Sequence, residues 1–216
     1  MESIKELKAM ANIGEKDGNR PFATVVRFEK KRIVATDGHR MAILKNDLTR
    51  FTGHVPVKAI KGIPADCFSS VLIKKMLKTS SIKIDDFPKY EKIVRNTVKD
   101  YKNDQGIILD TKKFLLILDE CKKMKFDIVR VSNENEELTL GFFKAECGRE
   151  PGENLPTMSM PSMSAMPHKP AYFQLKYLID GLKLFVGQKI KFHYETLQAA
   201  MMTSKTGKYI LMPVRY

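Results

Sequence analysis

In SIKELKAMANI, Ile4, Leu7 and Ala11 recur at helical spacing. Ser3 and Glu6 stand in the S-x-x-E arrangement of a capping box, so the pattern predicts a first helix here. The polar run GEKDGNRPF follows as a loop. ATVVRFEKKRIVATDG then reads as two apolar strands joined by the charged turn at residues 29–31. ADCFSSVLIKKMLK carries the pattern of a second helix. SSIKIDDFPKYEKIV reads as a strand, an Asp-Asp turn and Phe87-Pro88. RNTVKDYKNDQG is polar and holds Asn103-Asp104 and Gly106, which marks it as the expected linker.

The order of elements then starts again. DTKKFLLILDECKKMK is a predicted helix with Asp110 as its N-cap. DIVRVSNENEELTLGFF reads as a hairpin turning at residues 133–135. AYFQLKYLIDGLKLF holds another helix, and KIKFHYETLQAAMMTSKTGKYILMPVRY supplies terminal strands. Both halves run helix, strands, helix, strands with little residue identity between them, a repeat of architecture. Two domains are expected, 1–102 and 103–216. Residues 154–170, NLPTMSMPSMSAMPHKP, interrupt the pattern with four Met and four Pro. Proline excludes helix and central strand, so an exposed mobile loop is expected. The alternative is that its methionines form adaptable contacts with a partner.

Charge narrows the choice of partner. Lys and Arg number 38 against 25 Asp and Glu, a net charge of +13 across 216 residues. Such a surplus points to a polyanion, nucleic acid before an anionic membrane, with a solvated Lys-rich surface as the plain alternative. No apolar run is long enough to span a bilayer, and the first residues lack a signal-peptide core, so a cytoplasmic protein with no membrane partner is expected. Cys67, Cys121 and Cys147 are odd in number and widely spaced, which indicates neither a disulfide framework nor a zinc site. No metal and no other cofactor is expected.

The stretch IVATDGHRMAI ends a strand in a turn crowded with Asp37, His39 and Arg40. A catalytic dyad, an ordinary turn and the lip of a binding pocket all fit. Nucleophilic catalysis needs a Ser or Cys in an activating context such as GxSxG, and none is present. The four histidines show no metal spacing. SKTGKY resembles the end of a phosphate-binding loop, but Met202 stands where its first Gly is required. An enzyme is therefore not expected, and no residue is assigned a catalytic role.

Several segments together resemble one family. VATDGHRMAI resembles the TDGHRLA motif of the bacterial sliding clamp, the β subunit of DNA polymerase III. FPKYEKIV resembles its FPDYRRV segment, YFQLKYLIDGLKLF its last-domain helix, and YILMPVRY its closing YVVMPMRL. The four occur in family order across nearly the whole chain. The resemblance implies an α+β DNA clamp fold, with two repeated domains of two helices on antiparallel sheet, matching the family's middle and C-terminal domains. It implies a short clamp, from a phage or mobile element or a fragment, in which three copies make a six-domain homotrimeric ring.

On that resemblance the protein is a processivity factor of DNA replication. It encircles double-stranded DNA without reading sequence, and it binds linear peptide motifs of the replicative polymerase and clamp loader in a pocket between its domains. The alternative is an adaptor or decoy that binds such peptides without encircling DNA. The implied pocket comprises Thr36, Gly38, His39, Arg40, Met41, Pro88, Lys92 and Ile93 on one side. Gln174, Tyr177, Leu197, Ala199, Met212, Pro213, Val214 and Arg215 form the other. Met41, Lys92, Gln174 and Ala199 depart from the family's residues, as do Ala23 and Tyr216, which implies a different preferred peptide. The implied channel contacts are Lys5 and Lys8; Lys16, Arg20 and Phe22 in the loop; Lys74, Lys75 and Lys78; Lys112, Lys113, Lys122 and Lys123; Lys176 and Lys183. Pro21 replaces a family aromatic, which implies a weaker loop contact.

Overall fold

The computed structural model describes residues 4–15, 18–45, 51–64, 70–101, 106–134, 137–144, 156–161 and 168–215. It divides into two compact units. The first holds Met1–Tyr90 with Lys205–Tyr209, and the second Glu91–Ser204 with Ile210–Tyr216.

The first unit opens with α1 (Ile4–Ile13), whose Ile4, Leu7, Met10 and Ala11 are buried along one stripe. Gly14 ends it in close quarters: a Cβ there would lie 2.7 Å from the Ala23 carbonyl oxygen and 2.8 Å from Val57 Cγ2. A 3-10 turn (Pro21–Thr24) leads into β1 (Val25–Phe28), β2 (Arg32–Thr36), β3 (Arg40–Lys45) and β4 (Gly53–Pro56). These form an antiparallel sheet in the order β4-β1-β2-β3, with Val26 opposite both Ala35 and Val55 and Ala35 opposite Ala42. Residues 205–209 lie along β3, where Lys45 N–H donates to the Thr206 carbonyl at 2.9 Å. The short helix α2 (Val57–Lys61) and α3 (Ser70–Thr79) follow β4. The strand expected after α3 reduces to one bridge, Ile82 N–H donating to the His54 carbonyl at 2.8 Å. Polar neighbours flank Ile82, and its side chain is exposed, so no face is available to pack.

The expected linker is in part a helix. Residues 95–100 belong to α4 (Tyr90–Asp100). Tyr90 and Thr97 are buried on it, Val94 is half-buried, and Tyr101 just beyond its end is half-buried, a stripe at helical spacing within a polar sequence. Residues 102–105 lie outside the described part.

The second unit contains β5 (Ile107–Asp110), α5 (Thr111–Lys123), β6 (Ile128–Glu134), β7 (Glu137–Phe143), β8 (Thr157–Pro161), β9 (His168–Gln174), α6 (Leu175–Lys183), β10 (Lys189–His193) and β11 (Ala200–Thr203). One antiparallel sheet joins β5, β10 and β11, and another runs β8-β7-β6-β9. The last strand, β12 (Gly207–Leu211), divides between the units after Tyr209. Asp110 caps α5 as expected, its carboxylate accepting the N–H groups of Lys112 at 2.9 Å and Lys113 at 3.1 Å. Those two bonds, Lys113's foremost, hold the Asp110 carboxyl below its ordinary pKa. Thr111 is buried behind the cap, and its one hydroxyl proton is shared between the carbonyls of Phe185 and Gln188, each 2.9 Å away. Phe114, Leu115, Leu118 and Cys121 of α5 are buried, as are Leu175, Leu178, Ile179 and Leu182 of α6. Phe173 and Phe192 meet edge to face at 6.1 Å and are both fully buried. Truncating either to Ala costs about 3–5 kcal/mol.

Two further expectations are corrected. Asn133 does not turn the hairpin: it pairs with Leu138 inside the ladder and is buried, and Glu134 pairs with Glu137 beyond it, while Asn135 lies outside the described residues. Within the expected loop at 154–170, residues 157–161 form the edge strand β8 and residues 168–170 begin β9. Pairing with β7 fixes β8, including a Thr139–Ser159 hydroxyl contact of 3.3 Å. Pro161 is tolerated because an edge strand leaves one row of its N–H groups outside the ladder.

Candidate functional site

In the first unit the TDGHR residues form a tight turn between β2 and β3. Asp37 organises it, one carboxylate oxygen accepting the N–H groups of His39 at 2.9 Å and Arg40 at 3.0 Å. Its other oxygen receives Nε of Arg40 at 2.8 Å. Arg40 also donates to the Asn12 carbonyl at 2.9 Å, tying the turn to the end of α1. Thr36 Oγ1 donates to the Arg40 carbonyl at 2.7 Å and accepts from Gly38 N–H at 3.1 Å. Gly38 takes φ +91°, which a side chain resists. The turn therefore holds Thr36, Asp37 and Arg40 inside and presents Gly38 and His39 to solvent, while Met41 is buried. Pro88 is half-buried, its carbonyl accepting Tyr90 N–H at 2.8 Å.

Arg20, expected to contact DNA, packs on this same turn. Arg20 Nη2 pairs with Glu15 at 3.0 Å, and Nη1 lies 2.5 Å from where a Cβ on Gly38 would be. The guanidinium also stands 5.9 Å from the ring centre of Phe22. Lys16 lies outside the described residues.

In the second unit several residues of the expected peptide site lie near β9. Gln174 ends that strand, exposed at the start of α6, and Tyr177 is half-buried one turn later. Val214 N–H donates to the Tyr172 carbonyl at 2.8 Å, which draws Met212, Pro213 and Val214 to β9. Thr196 Oγ1 donates to the Pro170 carbonyl at 2.9 Å and anchors the turn that carries Leu197. Leu197 is exposed and holds the left-handed φ of +63°. The Ala199 carbonyl accepts the Tyr101 hydroxyl at 2.8 Å. Arg215 is exposed, as are Lys92 and Ile93 on the outer side of α4.

The lysines sit where the helical spacing puts them. On α3, Ile73 and Leu77 are buried, while Lys74, Lys75 and Lys78 are exposed. Lys5, Lys112, Lys113, Lys122, Lys123, Lys176 and Lys183 are exposed, and Lys8 is half-buried. Lys123 is partly neutralised by Glu120 at 2.6 Å, whose hydrogen bond raises the lysine's pKa. A separate open cleft of about 350 Å³ beside β1 and β4 includes Arg27, Glu29, Lys30 and His54, none of them expected from the sequence to form a site. Among the described residues no His, Cys, Asp or Glu cluster could hold a metal, and no helix is long and apolar enough to cross a membrane.

Sequence reasoning gave Asp37 no place in the pocket and did not single out Glu15. An Asp opening a turn before Gly is a recognisable acceptor for the next N–H groups, so Asp37 was readable. The Glu15–Arg20 pair spans an irregular loop and leaves no periodic signal.

Solved structures share this fold. DNA polymerase III subunit beta from Pseudomonas aeruginosa aligns with a TM-score of 0.71 and 16% identity over 99% of this chain. The fold is that of the bacterial sliding clamps. The Caulobacter crescentus pol III beta structure gives 0.68 and 18%, and the Bacillus subtilis DNA polymerase sliding clamp 0.67 and 17%, each again over 99% of this chain. The chain spans 65% of the Pseudomonas and Caulobacter chains and 62% of the Bacillus one. No family model and no curated sequence matches it. The expected α+β fold with antiparallel sheets is present.

Proposed function

We propose that the chain is a DNA sliding clamp, a processivity factor that tethers a polymerase to duplex DNA and has no catalytic residue of its own. The clamp fold over 99% of the chain carries this reading. The exposed lysines of α1, α3, α5 and α6 support it, because a sliding protein needs phosphate contacts without base contacts. The TDGHR turn and the residues gathered along β9 bind the linear peptides of polymerase and clamp loader. Met212, Leu197 and Val214 offer apolar area for an anchor side chain, and His39 and Tyr177 offer polar groups for its backbone. Three copies make the ring, and the domains divide at 1–102 and 103–216.

Retention on DNA tests the proposal. The protein is loaded onto nicked circular duplex at high salt, and the circle is then cut. A clamp stays on the circle and runs off the linear form. Equal loss from both forms overturns encirclement. In that case a fluorescein-labelled clamp-binding peptide from a bacterial replicative polymerase decides whether the adaptor reading survives. Light scattering measures the assembly: a ring of three has three times the 24.7 kDa chain mass.

A further inference from the structure

We propose that the cleft at the open end of β1 and β4 binds a phosphoryl group carried by a small phosphate monoester. The cleft encloses about 350 Å³, and its lining residues all belong to the first unit. The β1–β4 ladder ends at the pair Phe28–Gly53, and one step inside it Arg27 stands directly opposite His54. Gly53 leaves that wall as bare backbone, since a Cβ there would lie 2.9 Å from the Phe51 ring.

Arg27 is the fixed element. Its Nε lies 3.0 Å from one Glu29 oxygen, and its guanidinium stands 5.2 Å from the centre of the Phe87 ring. Glu29 is held in turn, its other oxygen accepting the Tyr90 hydroxyl at 2.7 Å. An ion pair and a ring contact together orient the guanidinium, so less freedom is lost when it meets a ligand. Its two Nη groups, the Lys30 ammonium and the Thr52 hydroxyl have no partner among the described residues. Glu29, the one carboxylate in the lining, is already engaged at both oxygens.

The cleft therefore presents donors to an acceptor-rich ligand. A carboxylate would satisfy the guanidinium fork alone. A phosphate monoester brings three acceptor oxygens and close to two charges at neutral pH, enough for Arg27, Lys30 and Thr52 together. Arg27 and Lys30 against Glu29 leave the lining positive, and His54 adds no charge at neutral pH, because burial and then Arg27 lower its pKa below 6.5. The site stands apart from the clamp reading and does not depend on it.

The test titrates the full chain, in chloride buffer at neutral pH, with inorganic phosphate and then with adenosine 5′-monophosphate, followed by backbone amide spectra. Shifts should saturate and centre on Lys30, Thr52 and Gly53, and acetate at equal ionic strength should not reproduce them. Lys30→Gln, a change on the exposed turn, should weaken phosphate binding by up to about fivefold. Arg27→Gln should weaken it by about tenfold or more. If that variant fails to fold, His54 supplies a second readout. Bound phosphate offsets the Arg27 charge, so the His54 imidazole should titrate at higher pH in phosphate than in chloride. Shifts that grow without saturating, or that acetate matches, overturn the site. A short duplex without terminal phosphates that gives the same shifts overturns the monoester and assigns the cleft to a DNA-binding surface.

Discussion

Nε of Arg40 donates to Asp37 at 2.8 Å, and the two side chains are only 3% and 7% exposed. An ion pair so buried adds little net stability against an apolar pair of the same volume, but removing one partner strands the other charge. Asp37 also accepts two turn amides, so the stranded group would be the one that shapes the turn. Arg40→Met should destabilise the protein by about 3–5 kcal/mol in urea unfolding. Arg40→Lys should keep the charge but lose the bond to the Asn12 carbonyl or to Asp37, at a smaller cost. A cost near zero for Arg40→Met would show that Asp37 finds another partner.

His54 stacks on Phe87 with ring centres 5.5 Å apart, and Arg27 stands over the same Phe87 ring at 5.2 Å. Burial, then the nearby Arg27 charge, lower the His54 pKa below 6.5. The unfolded chain therefore takes up a proton that the folded one resists. This contribution to stability is full above 6.5 and is lost as pH falls from there through the folded value. Urea midpoints should drop between about pH 7.5 and 5.5, and His54→Gln should flatten that part of the profile. An unchanged slope in the variant would assign the pH dependence elsewhere.

Cys121 is buried on α5, and burial raises its thiol pKa, with Glu120 adding to the shift. Its thiolate is scarce and shielded, so alkylation should wait on opening of the second unit. Mass spectrometry after brief iodoacetamide treatment should find Cys121 unmodified in native protein and fully modified in guanidinium. Rapid native labelling would mean that α5 opens on its own. Cys67 and Cys147 lie outside the described residues.

Reversing the charge of Lys74, Lys75 and Lys78 should weaken DNA association and flatten its dependence on salt. For every phosphate that is no longer neutralised, the slope of log affinity against log salt falls by about 0.9. The fold should survive, since all three are exposed while Ile73 and Leu77 carry the buried side of α3. An unaltered slope takes α3 out of the DNA interface.

Leu197 is a large apolar residue that is both 57% exposed and held at φ +63°. Neither condition favours leucine for stability. Leu197→Gly relieves the strained φ but loosens the unfolded chain, so stability should change by less than about 1 kcal/mol. Peptide affinity should nonetheless fall, because the apolar surface for the anchor side chain is removed. Deleting MPVRY should have the same selective effect. Unchanged peptide affinity in both variants would place the peptide elsewhere.

Much of the fold was legible where local pattern and tertiary demand agree. Asp110 capping α5 and the stripe from Phe114 to Cys121 are readable from residue type and spacing alone. Reading fails where packing supplies what composition hides. Helix α4 shows one sparse stripe, Tyr90, Val94, Thr97 and Tyr101, so its polar remainder passes for a linker. Strand β8 looks unstructured by composition and exists because β7 offers it a ladder. At the turn, the motif was visible but the roles within it were not. The sequence reading cast His39 and Arg40 alike as groups for a peptide, whereas His39 faces solvent and Arg40 is enclosed. That difference depends on Asn12, 28 residues away, and no local pattern records it.

Residues 205–209 belong to the first unit although 114 residues of the second, 91–204, precede them in the chain. A Cβ at Gly207 would come within 2.7 Å of Leu44 Cδ2 and closer still to the Ile43 carbonyl, so this segment is seated against β3. The β4-β1-β2-β3 ladder is complete within residues 25–56, so on the ribosome it can pair before residues 205–209 are made. The edge of β3 then keeps its backbone N–H and C=O groups unpaired until nearly the whole chain has been synthesised.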